Sequence, residues 1–454
     1  MRIRRLLVAN RGEIAARVIR TCTRLGIESV LAASDADLDS LPARCADRVV
    51  RLGPAPAAQS YLDPAAVVRA ARAVGADAVH PGYGFLSENP ALAAACAEAG
   101  IVFVGPSVAS LHAVGDKLTA RSHAVAAGLP VVPGGEAADL AAARAVAAEV
   151  GYPLLVKAVG GGGGRGMQLV RSAAELPGTL ALAVSEAAAA FGDARVYLER
   201  YVASGRHVEV QVLGDGVSAV ALGDRDCSVQ RRYQKLVEEA PAPALPGHVH
   251  EAMAAAALAL AAHLGYRGLG TVELLYDREQ QTFFFLEMNA RIQVEHPVTE
   301  MVTGLDLVAE QIAVAEGLPL RLRQADVALT GHAVECRINA EDWADDFRPA
   351  PGRIDRVVLP VGDGIRVDAG VQTGSVVPPH YDSLLAKLVV LGADRADALA
   401  RARAALELLR VDGVVTTAPM HRALLDDDEF AVGGVDTAFF ERFLADRRAP
   451  AGVS

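Results

Sequence analysis

Five consecutive glycines, Gly160 to Gly164, lie between Lys157 and the pair Arg165–Gly166, just after the apolar run Leu154-Leu155-Val156. Glycine has no side chain, so its backbone N–H groups can close on an anion. Lys157 adds a point charge within reach of the same anion. These residues predict a strand followed by a phosphate-gripping loop. It is not a Walker A loop, because the order GxxxxGK[ST] is absent. The competing reading is an unstructured surface loop, but a linker seldom sits between apolar segments with a cation on each side.

A second constellation runs from Glu287 through Asn289, Arg291, Gln293 and Glu295 to His296, after the apolar Phe283–Leu286. If the segment is extended, those five polar residues share one face. Acid, amide and guanidinium in one row suit a metal and a small anion better than they suit packing. Solvated edge residues are the alternative. Glu273, on the preceding strand candidate, could face Glu287 across a hairpin and share a divalent cation. Mg²⁺ favours such oxygen ligands, and Asn289 could add a third. The run Gln230-Arg231-Arg232-Tyr233-Gln234-Lys235, followed by Glu238-Glu239, could by itself be a solvated patch. Together with the other two motifs it supplies cations for phosphate or bicarbonate.

The elements that must position these groups follow from apolar periodicity. Leu6–Ala9 predicts a strand buried on both faces, and Ile14, Val18 and Cys22 mark the helix Ile14 to Leu25. Strands at Ser29–Ala33, Ala78–His80 and Val102–Val104 alternate with helices at Pro64–Val74 and Pro90–Ala99, which predicts a parallel α/β sheet. His80-Pro81-Gly82-Tyr83-Gly84-Phe85 falls just past a strand end, where such sheets place ligands. Further strands are expected at Val196–Glu199, His207–Leu213, Thr271–Tyr276, Thr282–Met288 and His332–Ile338. Helices are expected at Glu251–Leu264, Leu305–Ala315 and Asp397–Leu409. After Leu329 the composition shifts toward short strands with Pro, Gly and Asp, predicting a smaller α+β or barrel-like unit.

The 454 residues suit about three domains. With 44 basic and 55 acidic residues the net charge is −11, which disfavours nucleic acid or an anionic membrane as the main partner. Cys22, Cys45, Cys96, Cys227 and Cys336 are odd in number and contain no CxxC pair, so neither a disulfide framework nor a cysteine zinc site is expected. The N-terminus is too short in apolar residues for a signal peptide, and no transmembrane run occurs, which makes a cytoplasmic location the expectation.

These motifs carry a resemblance over essentially the whole chain. The sequence resembles the biotin carboxylase component of biotin-dependent carboxylases, a branch of the ATP-grasp superfamily. The match includes Ala9-Asn10-Arg11-Gly12-Glu13-Ile14-Ala15, His80 to Asn89, Lys157 to Met167, Glu238 to Pro243, Glu287 to Glu300 and Glu335 to Asp342, with Arg291 to Glu300 the most specific part. The resemblance implies a Rossmann-like N-terminal domain over 1–112 and an ATP-grasp domain over 113–329 with a mobile lid at about 131–202. It implies a C-terminal biotin carboxylase domain over 330–446 and a tail over 447–454.

It also implies roles for individual residues. ATP would be held by Lys117, Lys157, Gly162, Gly163, Gly164, Gly166, Met167, Glu199, Arg200, Tyr201, Val202, His207, Gln230, Tyr233, Glu273 and Glu287. Two Mg²⁺ or Mn²⁺ ions would bind Glu273, Glu287 and Asn289. Bicarbonate would lie among Lys235, Arg291, Gln293, Val294 and Glu295, and biotin near Tyr83 and Arg337. Glu295, Arg337, Arg291 and Lys235 would be catalytic. Well-known bacterial members have histidine where Tyr233 stands and commonly threonine at Ala290, so altered nucleotide contacts are expected.

The implied function is ATP-dependent carboxylation of biotin through carboxyphosphate, the first half-reaction of acetyl-CoA carboxylase in fatty acid synthesis. The implied partners are a biotin carboxyl carrier protein and carboxyltransferase subunits, with a homodimer as the expected assembly. No Met-Lys biotin attachment motif is present, so biotin is expected on a separate carrier or on a segment outside this chain. Three alternatives stay open. The chain could serve a propionyl-CoA or other acyl-CoA carboxylase, it could be a sister ATP-grasp ligase, or it could be a silent nucleotide-binding scaffold.

Overall fold

The structure is a computed structural model that describes residues 2–160 and 166–448. The first unit is a parallel sheet. Its spatial order is Arg48–Gly53, Glu28–Ser34, Arg5–Val8, Ala78–His80 and Val102–Phe103. Leu6, Leu7 and Val8 are buried on both faces, as the apolar run predicts. The helix Gly12–Leu25 buries Ile14, Val18 and Cys22 against the sheet. Asp63 caps the helix Pro64–Val74 through the N–H groups of Ala65 and Ala66, and Gly75 closes it in the left-handed region. The strand Arg48–Gly53 was not anticipated. It lies at the sheet edge, where Arg48, Val49 and Arg51 are exposed and the apolar pattern is reduced to Val50 and Leu52 facing the core.

The centre of the molecule is an eight-stranded antiparallel sheet. Its order is Thr282–Asn289, Arg267–Asp277, Gly205–Asp215, Ala219–Arg231, Gln234–Ala240, His332–Asn339, Leu384–Gly392 and Ile365–Ala369. The last three strands come from the C-terminal part of the chain. The composition change after Leu329 therefore does not end the sheet, which continues across it through pairs such as Val237 with Cys336. The helix Gly247–His263 covers one side of the middle strands. The helix Arg395–Leu408 and the cluster Phe430, Phe439, Phe440 and Phe443 cover the C-terminal strands.

The basic run Gln230–Lys235 is a tight hairpin, not a patch. Gln230 pairs with Lys235 and Arg231 with Gln234. Arg232 and Tyr233 form the two-residue loop, with φ of 48° and 66°. Both values are left-handed, as a primed hairpin turn requires.

The third unit is a four-stranded antiparallel sheet, in the order Gly134–Glu136, Val196–Arg200, Leu154–Ala158 and Met167–Val170. The helices Leu140–Val150 and Leu176–Phe191 complete a small core of its own around Leu154, Val156 and Leu198. Glycines Gly162, Gly163 and Gly164 lie outside the described residues, as does most of the expected tail.

Candidate active site

One cavity of about 980 Å³ opens between the four-stranded sheet, the eight-stranded sheet and the loop after His80. It brings together most of the residues singled out above. Lys117, Lys157, Met167, Glu199, Arg200, Tyr201, Val202, His207, Gln230 and Tyr233 line it. So do Lys235, Glu273, Glu287, Asn289, Arg291, Gln293, Val294, Glu295, Arg337 and Tyr83. Gly166, with φ of 76°, is not among the lining residues.

The hairpin prediction for the acids holds, since Glu273 and Glu287 are direct cross-strand partners. Beyond them the register slips, with Leu274 opposite Phe285, which leaves Leu286 as an extra residue. Such a bulge re-aims the neighbouring side chain. The Glu287 carboxylate takes part in no side-chain hydrogen bond among the described residues. Burial first, and then Glu273, push its pKa up, with Lys117 opposing. Glu273 is already engaged by Lys235 and His207, while Glu287 beside it has no cation in contact, and a carboxylate left in that state next to a second one fits a hard divalent ion. Asn289 lies beside them, but its oxygen accepts from Arg291 at 2.7 Å and its amide donates to Glu273 at 2.9 Å.

The strand stops at Asn289, so the extended face expected through Glu295 is not formed. Ala290 and Ile292 turn into the core, and Glu295 becomes the N-cap of the helix His296–Thr303. Arg291, Gln293 and Glu295 still reach the cavity from this loop. Glu88 secures the turn by accepting from Ala290 N at 3.0 Å and Arg291 Nε at 2.8 Å.

Around Glu295 the charges are compensated by the protein itself. Lys235 Nζ donates to Glu209 at 2.6 Å, Glu273 at 3.1 Å and Glu295 at 2.6 Å. Arg337 Nη2 donates to the other Glu295 oxygen at 3.0 Å, and its Nε donates to Glu238 at 2.6 Å. Burial opposes ionisation of Glu295, but Lys235, Arg337 and Arg225 outweigh it and hold the carboxyl well below the usual range. Behind it Arg225 is fully buried and donates to Glu209, Gln211, Thr271, Thr299 and Gln293. An ionised carboxylate facing a cavity between two cations can take a proton from a small anion that the same cations attract.

On the opposite wall Lys157 is ion-paired with Glu199. Lys117 opens the helix Lys117–Ala126 capped by Asp116, and burial and then Lys157 weaken its hold on a proton. His207 lines the same cavity, with Nε2 3.0 Å from Glu273. Tyr83 donates its hydroxyl to Glu13. Glu13 lies 3.1 Å from Lys387, which donates to Val294 O at 2.7 Å.

Glu88, Glu209, Arg225, Glu13 and Lys387 were not assigned from sequence. For Glu209 a signal existed: it shares the strand face of His207 and Gln211, a polar row on a strand whose other residues are apolar.

A nucleotide-sized cavity between two antiparallel sheets, with lysines on one wall and paired glutamates on the other, defines the ATP-grasp class. The sequence profile of the biotin carboxylase N-terminal domain matches residues 2–111. The carbamoyl-phosphate synthase L chain ATP-binding domain matches 116–323, and the biotin carboxylase C-terminal domain matches 335–442. The biotin carboxylase of Pseudomonas aeruginosa is 48% identical over 446 residues, spanning 97% of this chain and 99% of that protein. The biotin carboxylase domain dimer of Hydrogenobacter thermophilus 2-oxoglutarate carboxylase, solved with MgADP, ADP and bicarbonate, superposes with a TM-score of 0.94. It shows 42% identity and 98% coverage of both chains. Rhizobium etli pyruvate carboxylase gives a TM-score of 0.91 and 41% identity over 97% of this chain and 40% of that one. The chain belongs to the biotin carboxylase family, and is an enzyme of ATP-dependent biotin carboxylation.

Among the described residues, no helix is long and apolar enough to cross a membrane.

Proposed function

We propose that the chain carries out the first half-reaction of acetyl-CoA carboxylase, loading bicarbonate carbon onto biotin borne by a carrier protein. The observation that supports this most is Glu295, ionised and held between Lys235 and Arg337 at the cavity wall. In this reading Lys117 and Lys157 bind the ATP phosphates, and Glu199, Arg200, Tyr201 and Val202 lie along the adenine. His207, Gln230 and Tyr233 contact the rest of the nucleoside. Bound Mg²⁺ or Mn²⁺ at Glu273 and Glu287 would neutralise charge on the transferring phosphoryl group.

Lys235, Arg291, Gln293 and the Val294 backbone orient bicarbonate so that Glu295 accepts its proton. The bicarbonate oxygen then takes the γ-phosphoryl group, giving carboxyphosphate and ADP. Carboxyphosphate separates into CO₂ and phosphate, and the phosphate takes the N1′ proton of biotin. The resulting N1′ attacks CO₂. Arg337 stabilises the ureido oxygen while it carries negative charge, and Tyr83 lies against the same ring.

The division at 112, 329 and 446, with a lid over 131–202, belongs to this reading. The separate small core of the four-stranded unit supports the lid. Amide exchange in 154–158 and 167–170 should slow when ATP and Mg²⁺ bind, and unchanged exchange would remove the lid. The dimer of the Hydrogenobacter domain supports a homodimer here. A cytoplasmic setting and carboxyltransferase partners complete the proposal.

ADP release measured with Mg²⁺, bicarbonate or biotin omitted tests the chemistry. Turnover indifferent to bicarbonate and biotin would refute it. Reconstitution with carrier and carboxyltransferase, comparing acetyl-CoA with propionyl-CoA, tests the assignment to acetyl-CoA carboxylase. Faster turnover with propionyl-CoA would overturn it.

A further inference from the structure

Glu238 and Glu335 stand directly opposite each other on the adjacent antiparallel strands Gln234–Ala240 and His332–Asn339. Residues opposed in this way point their side chains to one face, with Cβ atoms about 4.5–5.5 Å apart. Both residues are 0% exposed. One oxygen of Glu238 accepts from Arg337 Nε at 2.6 Å. Its other oxygen, and both oxygens of Glu335, have no hydrogen-bond partner among the described residues. A buried oxygen without a donor is destabilising, and more so when it is charged.

The neighbouring charges do not relieve this. Lys235, on the strand of Glu238, is committed to Glu209, Glu273 and Glu295. Lys387, on the far side of Glu335, is committed to Glu13 and Val294 O. Arg337 is shared between Glu238 and Glu295. Cys336, next to Glu335 on the strand, points to the other face of the sheet, and Cys227 lies against Glu295, so neither thiol donates to Glu238 or Glu335. Burial, and then Glu295, push Glu238 up to about 7 against the pull of Arg337. Burial, with Glu238 and Glu295, pushes Glu335 well above the usual carboxylate range against Lys387 and Arg337.

We propose that Glu238 and Glu335 share one proton and act together as positioning residues for Arg337. The proton on Glu335 donates to the free oxygen of Glu238, supplying the donor that both carboxyls lack. Glu238 keeps its other oxygen on Arg337. The guanidinium is then gripped from two sides, by Glu238 behind and Glu295 in front. When Glu295 takes the bicarbonate proton, its grip weakens and Glu238 alone keeps Arg337 in place. This rests on the reading that Arg337 faces the ureido oxygen. The shared proton is present below the raised pKa of the pair and is lost as pH rises through it. Its loss sets a second full negative charge near Arg337 and draws the guanidinium back from biotin.

Infrared difference spectroscopy on the resting full-length chain reads the proton without any turnover. Wild type minus Glu335→Gln, near neutral pH, should show a carboxylic-acid carbonyl band that fades as pH rises. Carboxylate bands alone would overturn the proposal. Glu335→Leu removes the donor and should lower carboxybiotin formation about tenfold, with a smaller fall in ADP release. Glu335→Gln can donate to Glu238 without titrating, so it should restore most of the loss and abolish the alkaline decline. Identical alkaline limbs in wild type and Glu335→Gln would refute the positioning role. An acid band together with ATP cleavage indifferent to biotin upholds the shared proton and refutes the functional reading instead.

Discussion

Two carboxylate groups share one cavity and are compensated in opposite ways. Around Glu295 the protein provides its own cations: Lys235 touches three acids, Arg337 two, and Arg225 closes the rear. At Glu287 no cation is in contact among the described residues, and burial first and then Glu273 opposite raise its pKa, with Lys117 opposing. Glu273 belongs to both groups, because Lys235 and His207 engage it while its cross-strand neighbour goes without. A self-compensated carboxylate is ionised and held in place before substrate arrives. A site left with surplus negative charge is completed by what binds there. This is why the second candidate cation cluster, Glu209, Cys227 and Glu295, does not read as a metal site. The Lys235 ammonium already sits against two of its members.

The largest effect expected from breaking this contrast is Glu295→Ala. It strips Lys235 and Arg337 of their shared acid and removes the base. Bicarbonate-dependent ADP release and carboxybiotin formation should both fall about 1,000-fold. A normal rate of bicarbonate-dependent ADP release would place the base elsewhere. Glu287→Gln keeps the shape and one oxygen but removes half of the surplus charge. ADP release at limiting Mg²⁺ should drop roughly 100-fold, and a near wild-type rate would move the metal away from the hairpin. Arg337→Ala sharpens the comparison, because it removes one cation from the compensated group. Carboxybiotin formation should fall about tenfold further than ADP release in the same samples. Arg337→Lys separates charge from the planar fork, and equal losses in both activities would dissociate Arg337 from biotin. The smallest change is expected at Tyr233, which is 48% exposed at the hairpin tip. Tyr233→His should shift the apparent KM for ATP by about twofold, measured by coupled assay. A much larger shift would make this tip part of the rigid machinery.

What could be read from the residues was local. The parallel unit announced itself through apolar runs spaced by helices, and Glu273 opposite Glu287 followed from two strands and a charged turn. The edge strand Arg48–Gly53 carried only a short signal, because just Val50 and Leu52 face the core and arginines interrupt the apolar run. The turn at Arg232–Tyr233 was hidden because neither residue is a glycine or asparagine, the usual marks of a left-handed hairpin loop. The face expected from Glu287 to Glu295 broke at Asn289 because Ala290 and Ile292 were drawn into the core. Arg225, Glu209, Glu13 and Lys387 acquire meaning only through partners distant in sequence. No spacing rule places Lys387 beside Glu13, or Glu238 opposite Glu335.

The continuity of the eight-stranded sheet has a consequence for a chain still being made. Synthesis runs from the N-terminus, so Gln234–Ala240 leaves the ribosome well before its partner His332–Asn339. Until that partner arrives, the strand is an open edge with its backbone donors and acceptors unpaired. The edge carries Glu238 and Glu239, both of which end buried. Charges on an open edge discourage another copy from pairing with it. Replacing both acids by valine in a chain ended at Leu329 should speed aggregation followed by light scattering, and an unchanged rate would refute this role. The acids whose burial the finished enzyme must compensate are, during manufacture, its guard against sticking to its siblings.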